Sequence, residues 1–95
     1  MKSYYIYILH CADGSYYIGV TNNVDRRLYE HQNGLVANCY TYYRRPVLLR
    51  YVEEYSDINE AIAREKQLKR WTLRKKEVLI AGDGDRLCQY AKPAK

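Results

Sequence analysis

Two short runs, Tyr5-Ile6-Tyr7 and Tyr17-Ile18-Gly19, flank Asp13-Gly14, and this arrangement leaves the start of the chain few ways to fold. Residues 4–10 and 16–20 are apolar, aromatic and β-branched, the composition of strands, and Asp-Gly between them is a hairpin signal. Register decides what the hairpin presents. A two-residue turn would pair Tyr7 with Val20 and send Tyr7 and Tyr17 to opposite faces. A three-residue loop, Ala12 to Gly14 with Gly14 left-handed, pairs Tyr7 with Gly19 and puts both tyrosines on one face. The second register is expected, and it sets a residue without a side chain opposite the Tyr7 phenol, leaving space for a phosphate or a water.

A helix is predicted over 24–33, capped by Asn22 with Asp25 three residues on and stopped by Gly34. At 100° per residue Val24, Arg27, Leu28 and His31 share one side, so the arginine and histidine sit one turn apart beside the packing stripe. Residues 35–46 are a loop ending in Arg44-Arg45-Pro46, and 47–55 a third strand. Asp57 caps a second helix with Glu60 answering, and the helix runs to about Trp71. Thr72 opens a third that ends near Ile80. The chain is therefore expected to be α+β, a small three-stranded sheet packed with three helices in the order β-β-α-β-α-α.

The second helix holds an anomaly. Ile58, Ala61, Ile62 and Leu68 define its apolar stripe, and Glu65 falls near the middle of it. A carboxylate there has to be paired, metal-bound or open to a cleft, because an unpaired buried charge costs several kcal/mol or takes up a proton. The ordinary alternative is an i,i+4 pair with Lys69. The surroundings are strongly basic: Arg64, Lys66, Lys69, Arg70, Arg74, Lys75 and Lys76 face Glu65 alone, dense enough to follow a phosphate backbone.

Ninety-five residues allow one domain and one modest core, so a binding site must share the elements that hold the fold together. Residues 1–82 are expected to form that domain and 83–95 a lightly packed tail. Sixteen Lys and Arg against 11 Asp and Glu give a net charge of +5, which favours polyanions, nucleic acid above all, as partners. Cys11, Cys39 and Cys88 lack metal-ligand spacing and suit reduced thiols in a cytoplasmic protein better than a disulfide frame. No stretch approaches the roughly 20 apolar residues of a membrane span. Phe is absent and Tyr occurs 12 times, so core and rim are built from rings whose polar ends need partners or solvent.

With these residues in place, the chain resembles the GIY-YIG nucleases, and more narrowly the short stand-alone bacterial members similar to the amino-terminal nuclease module of the excision-repair endonuclease. The likeness covers about residues 4–80. The first motif is Tyr5-Ile6-Tyr7, with tyrosine in place of the opening glycine, and the second is intact as Tyr17-Ile18-Gly19. The family's arginine falls on Arg27, the histidine that often accompanies it on His31, and the metal-binding glutamate on Glu65 within Ala63-Arg64-Glu65-Lys66.

The resemblance implies hydrolysis of DNA phosphodiesters with one divalent ion, Mg²⁺ or Mn²⁺, in DNA repair or processing; a monomer is expected, and low sequence specificity, because no recognition helix or strand is offered for a groove. Carboxylate oxygen suits such an ion, which keeps several waters and binds phosphate oxygens directly. Tyr7 is then the candidate to take a proton from the attacking water, although a phenol of pKa about 10 is a poor base until positive charge lies beside it. Arg27 supplies such charge and stabilises the pentavalent transition state; Tyr17 orients phosphate or water; His31 assists proton transfer or holds a phosphate oxygen; Gly19 is structural. Arg44 and Arg45 are expected to touch phosphate. The alternative is a non-catalytic nucleic-acid-binding module that uses the basic 64–76 segment, its tyrosines stacking or packing.

Overall fold

The computed structural model describes residues 2–36 and 40–82; Cys39, Cys88 and the expected 83–95 tail lie outside the described residues. Three strands, β1 (Tyr4–His10), β2 (Tyr16–Thr21) and β3 (Leu48–Tyr55), form one antiparallel sheet in the order β2-β1-β3. Helices α1 (Val24–Gln32), α2 (Ile58–Lys69) and α3 (Leu73–Ala81) complete the α+β order β-β-α-β-α-α. The hairpin takes the three-residue loop. Tyr7 pairs with Gly19, Cys11 N–H donates to Ser15 O at 2.8 Å, and Gly14 sits at φ 90°, where a side chain would be strained.

The sheet is covered on both faces, and strand alternation sorts the core into two halves. Tyr7, Leu9, Leu49 and Val52 pack with Val24 and partly buried Leu28 of α1. Ile6, Ile8, Ile18 and Tyr51 pack with Ala61 and Leu68 of α2, and partly buried Trp71, Leu79 and Ile80 lean on them. A shift of register between Ile8 and Leu9 makes this division possible on β3. Ile8 faces Tyr51 and Leu9 faces Leu49, so the strand carries an extra residue at Arg50, and Leu49 and Tyr51 serve opposite faces.

The helix caps are local devices. Asp57 accepts from Asn59 N–H at 2.9 Å and Thr72 from Lys75 N–H at 3.2 Å, as expected. For α1 the cap is Asn23 rather than Asn22: its side chain accepts from Arg26 N–H at 3.0 Å, while Thr21 Oγ1 donates to Asn23 O and accepts from Asn23 N–H. This turn at Thr21 moves the helix start one residue along. Ile62, expected in the α2 stripe, is 37 % exposed, because Ala61 and Leu68 alone carry the helix onto the sheet.

One ion pair under α2 had no local signal. Glu53 on β3, 8 % exposed, takes hydrogen bonds from Arg64 Nε at 3.0 Å and Nη2 at 2.9 Å, from Tyr55 hydroxyl at 2.7 Å and from Tyr51 hydroxyl. Burial pushes the Glu53 carboxyl up, but Arg64 and the two phenols outweigh it and hold it below the ordinary carboxylate range. Its stabilisation is therefore complete above the unfolded carboxylate pKa and is lost as pH falls through the lower folded value. Arg64→Met, which strands this carboxylate, should cost about 3 kcal/mol in urea denaturation. Glu53→Gln should flatten the acid limb of the stability curve; an unchanged acid limb would remove the pair from the stability account.

Candidate active site

Tyr7 lies at the centre of β1 and faces α1. A Cβ at Gly19 would stand 2.4 Å from the Tyr7 hydroxyl oxygen and 2.5 Å from Cζ. The missing side chain therefore admits the Tyr7 ring itself, which fills the space expected to receive a phosphate or water. Close approach, rather than backbone conformation, is what requires glycine there.

The Tyr7 hydroxyl meets His31 Nε2 at 3.0 Å, and His31 Nδ1 meets Thr41 Oγ1 at 2.7 Å. Tyr7, His31 and Thr41 are 3 %, 1 % and 1 % exposed. His31 sits in the last turn of α1, one turn after Arg27, whose guanidinium lies within hydrogen-bonding reach of the same phenol. Burial, and then the charge of Arg27, push the imidazole below its ordinary pKa and keep it neutral near pH 7. Burial lowers the Arg27 pKa, but its 3.0 Å bond to Glu30 and the nearby phenol outweigh that and fix it as a cation. The Tyr17 ring completes the cluster, with centroids 6.2 Å from Tyr7 and 5.2 Å from His31.

Tyr7, Tyr17, Arg27 and His31 are thus brought together on the α1 face of the sheet. Glu65 comes from α2, which packs on the other face, and the edge strand β2 is where the two sides meet. A cavity of about 300 Å³ opens there, lined by Tyr16, Tyr17, Ile18, Tyr40, Lys69 and Lys76. Lys69 Nζ holds Glu65 Oε2 at 2.9 Å, so the ordinary i,i+4 pair is present at this rim. No helix among the described residues is long and apolar enough to cross a membrane.

The basic residues divide by environment. Arg64 is held by Glu53 and lies 5.2 Å from the Trp71 ring centroid; Lys75 Nζ is 4.5 Å from the same ring. Arg44 binds Asp13 at 2.9 Å and Tyr40 O at 2.7 Å, with its guanidinium 3.8 Å from the Tyr40 centroid, while Arg45 donates to Tyr42 O at 2.9 Å. Lys66, Arg70 and Arg74 are exposed, and Lys69 and half-buried Lys76 line the cavity. Sequence reading missed Thr41 and Tyr40, the latter stacked on Tyr17 with centroids 6.2 Å apart and planes at 19°. Both come from an aperiodic loop, where no spacing announces which side chain turns inward.

The fold, the paired tyrosines and the Arg27/His31 turn define a nuclease-type domain, and residues 3–77 match the GIY-YIG catalytic domain; the chain belongs to that family. Within it the chain is similar to the bacterial UPF0213 proteins. It is 45 % identical to one from Bacillus pumilus over 78 residues, 82 % of this chain and 79 % of the relative, and 42 % identical to one from Staphylococcus saprophyticus over 81 residues, 85 % and 98 % of the two. Two solution NMR structures share the fold at 36 % identity. A UPF0213 protein from Bacillus halodurans gives a TM-score of 0.54 over 96 % of this chain and 88 % of its own, and a protein from E. faecalis gives 0.60 over 86 % of each.

The Tyr7–Gly19 contact is open to a double-mutant test. Gly19→Ala should destabilise by about 1–3 kcal/mol through overpacking. In a Tyr7→Ala background most of that cost should vanish, because the clashing ring is gone. Equal costs in both backgrounds would show that Gly19 acts through something other than Tyr7.

Proposed function

We propose that the protein is a divalent-metal-dependent endonuclease that hydrolyses DNA phosphodiesters, with little sequence preference, in DNA repair or processing in the cytoplasm. The observation that carries this reading is the Tyr7–His31 hydrogen bond with Arg27 beside it, a proton-transfer pair next to a fixed cation. Ordinary sheet packing needs neither the buried imidazole nor the arginine.

The parts take the following roles. Tyr7 accepts the proton of the attacking water while His31 shares the load through Nε2. Arg27 stabilises the charge that gathers on the phosphoryl oxygens in the transition state, where a preorganised cation is worth far more than in water. Tyr17, at the cavity wall, orients the phosphate. Glu65 offers one hard oxygen ligand, and among the described residues no group of three or more His, Cys, Asp or Glu comes together to hold a metal without help. A lone carboxylate suits Mg²⁺ or Mn²⁺, which retain waters and share phosphate oxygens; bound there, the ion would supply Lewis-acid polarisation of the phosphate and stabilise the leaving 3′ oxygen. The i,i+4 pair with Lys69 is open to solvent at its lysine end and worth only about 0.5 kcal/mol, too little to keep Glu65 from such an ion.

Lys66, Arg70 and Arg74 give the electrostatic attraction for DNA, assisted by Lys69, Lys75 and Lys76. Arg44 and Arg45 sit on the tyrosine-rich loop that carries Tyr40 to the cavity wall, and serve as its contacts to phosphate. No helix or ribbon stands out to enter a groove, so flexible, single-stranded or distorted DNA is the favoured substrate class. A monomer is sufficient for this reading.

Cleavage of mixed DNA substrates, with and without chelator, tests it. The wild type should nick DNA with Mg²⁺ or Mn²⁺ and stop when the ion is removed. Arg27→Ala should slow cutting about 100- to 1000-fold. Tyr7→Phe, which keeps the ring against Gly19, should slow it about 100-fold or more. Glu65→Ala should abolish the metal response, and all three should keep most DNA affinity. If the wild type cuts nothing over a range of metals and substrates yet binds DNA in a salt-dependent manner, the non-catalytic binding module replaces this proposal.

A further inference from the structure

Thr41 is a buried hydroxyl that no motif assigns, and it holds the far nitrogen of the only imidazole in the cluster. The His31 ring is neutral, so one nitrogen carries a proton and the other a lone pair. Which is which decides whether Tyr7 has anywhere to send its own proton.

The proposed role of Tyr7 chooses between them. Arg27 can only donate, so its approach to the Tyr7 oxygen occupies a lone pair of that oxygen. If the phenolic proton points to the acceptor 3.0 Å away, His31 Nε2, the oxygen keeps its second lone pair for the proton that Tyr7 is to take up. In that arrangement Nδ1 carries the ring proton and donates to Thr41 Oγ1 at 2.7 Å. Among the described residues, the side chains around the ring include Tyr7 from β1, Tyr17 from β2, Arg27 and Glu30 from α1 itself, and Thr41 from the loop.

We infer that Thr41 is a positioning residue that locks His31 in the Nδ1–H tautomer, leaving Nε2 as the acceptor through which Tyr7 discharges its proton. The inference rests on the reading of Tyr7 as the proton-transfer group. In that step a water O–H bond breaks as its oxygen bonds to phosphorus and the P–O3′ bond breaks, its electron pair leaving on the 3′ oxygen; the water's proton passes to the Tyr7 oxygen, and the phenolic proton of Tyr7 passes to Nε2. The imidazolium formed keeps its Nδ1–H on Thr41. With the opposite tautomer Nε2–H would point at Tyr7, and the relay would have no acceptor. The main chain reinforces the lock: Arg44 N–H donates to Thr41 O at 3.0 Å, and Arg44 O accepts from Ala12 N–H at 2.9 Å, fastening the loop to the hairpin.

The test reads the ring directly. The chain has two histidines, so ¹⁵N–¹H correlation spectra of the full protein, compared with a His10→Gln variant, assign His31 unambiguously. Wild type and Thr41→Ser should show the Nδ1–H tautomer. Thr41→Val, nearly the same size but without the acceptor, should shift the ring toward Nε2–H and lower kcat about 100-fold, with KM for DNA unchanged and the fold intact by circular dichroism. An Nε2–H ring in the wild type, or a Thr41→Val ring that stays Nδ1–H, would overturn the inference. The spectra decide this even if the wild type cuts no DNA, an outcome that would count against the nuclease reading and not against the tautomer.

Discussion

The Tyr7 phenol, pressed onto Gly19 and held at its hydroxyl by His31 and Arg27, is the contact on which the site depends. A buried hydroxyl left without partners costs about 1–3 kcal/mol, so the polar end of this ring has to be answered by neighbouring elements. The answer comes from α1 and, through His31, from the loop that carries Thr41. Gly19 on β2, His31 on α1 and Thr41 in the loop are separate in sequence, and one phenol brings them to a point. A group with these partners has a fixed position and a defined hydrogen-bond direction, the preorganisation that proton transfer needs.

The other face of the sheet follows a different logic. Glu53 with Arg64, Tyr51 and Tyr55 forms a satisfied polar network beneath α2, and it orients the helix where two buried apolar residues, Ala61 and Leu68, give limited purchase. Part of the basic run is consequently structural: Arg64 belongs to Glu53, and Lys75 rests over Trp71. Lys66, Arg70 and Arg74, exposed and outside those contacts, are best placed to attract a polyanion at a distance, with exposed Lys69 and Lys75 beside them. A count of charges along the helix cannot make that distinction, because it depends on which positions meet β3.

Between the faces lies β2, and its position at the edge of the sheet explains how a domain this small presents a site at all. A central strand has neighbours on both sides; an edge strand leaves one side open. Tyr17 and Tyr40 reach that opening from the α1 side, and Lys69, which holds Glu65, from the α2 side. The proposed chemistry therefore sits where two halves of the core meet solvent, and the 300 Å³ cavity is the seam between them. Arg44, tied to Asp13 of the hairpin, stacks on Tyr40, one of the residues that line it.

Most of the fold was legible in the sequence because local rules wrote it: Gly14 chose the hairpin loop, strand alternation set Tyr7 and Tyr17 on one face, and Asp57 and Thr72 capped their helices. The shift of the α1 cap from Asn22 to Asn23 needed only the turn at Thr21. The arginine, histidine and glutamate positions were legible as spacing on helices. What spacing could not reveal was partnership across the chain. That the place opposite Tyr7 would be filled by its own ring, that Glu53 would claim Arg64, and that Thr41 would meet His31 all depend on how sheet, helices and loop close on one another. The sequence by itself determined which elements form and which residues share a face, since those follow from 2- and 3.6-residue periods and from turn chemistry within a few positions. The tertiary structure alone decided which polar groups meet, because a buried donor takes whichever acceptor packing brings within about 3 Å, however far along the chain it began.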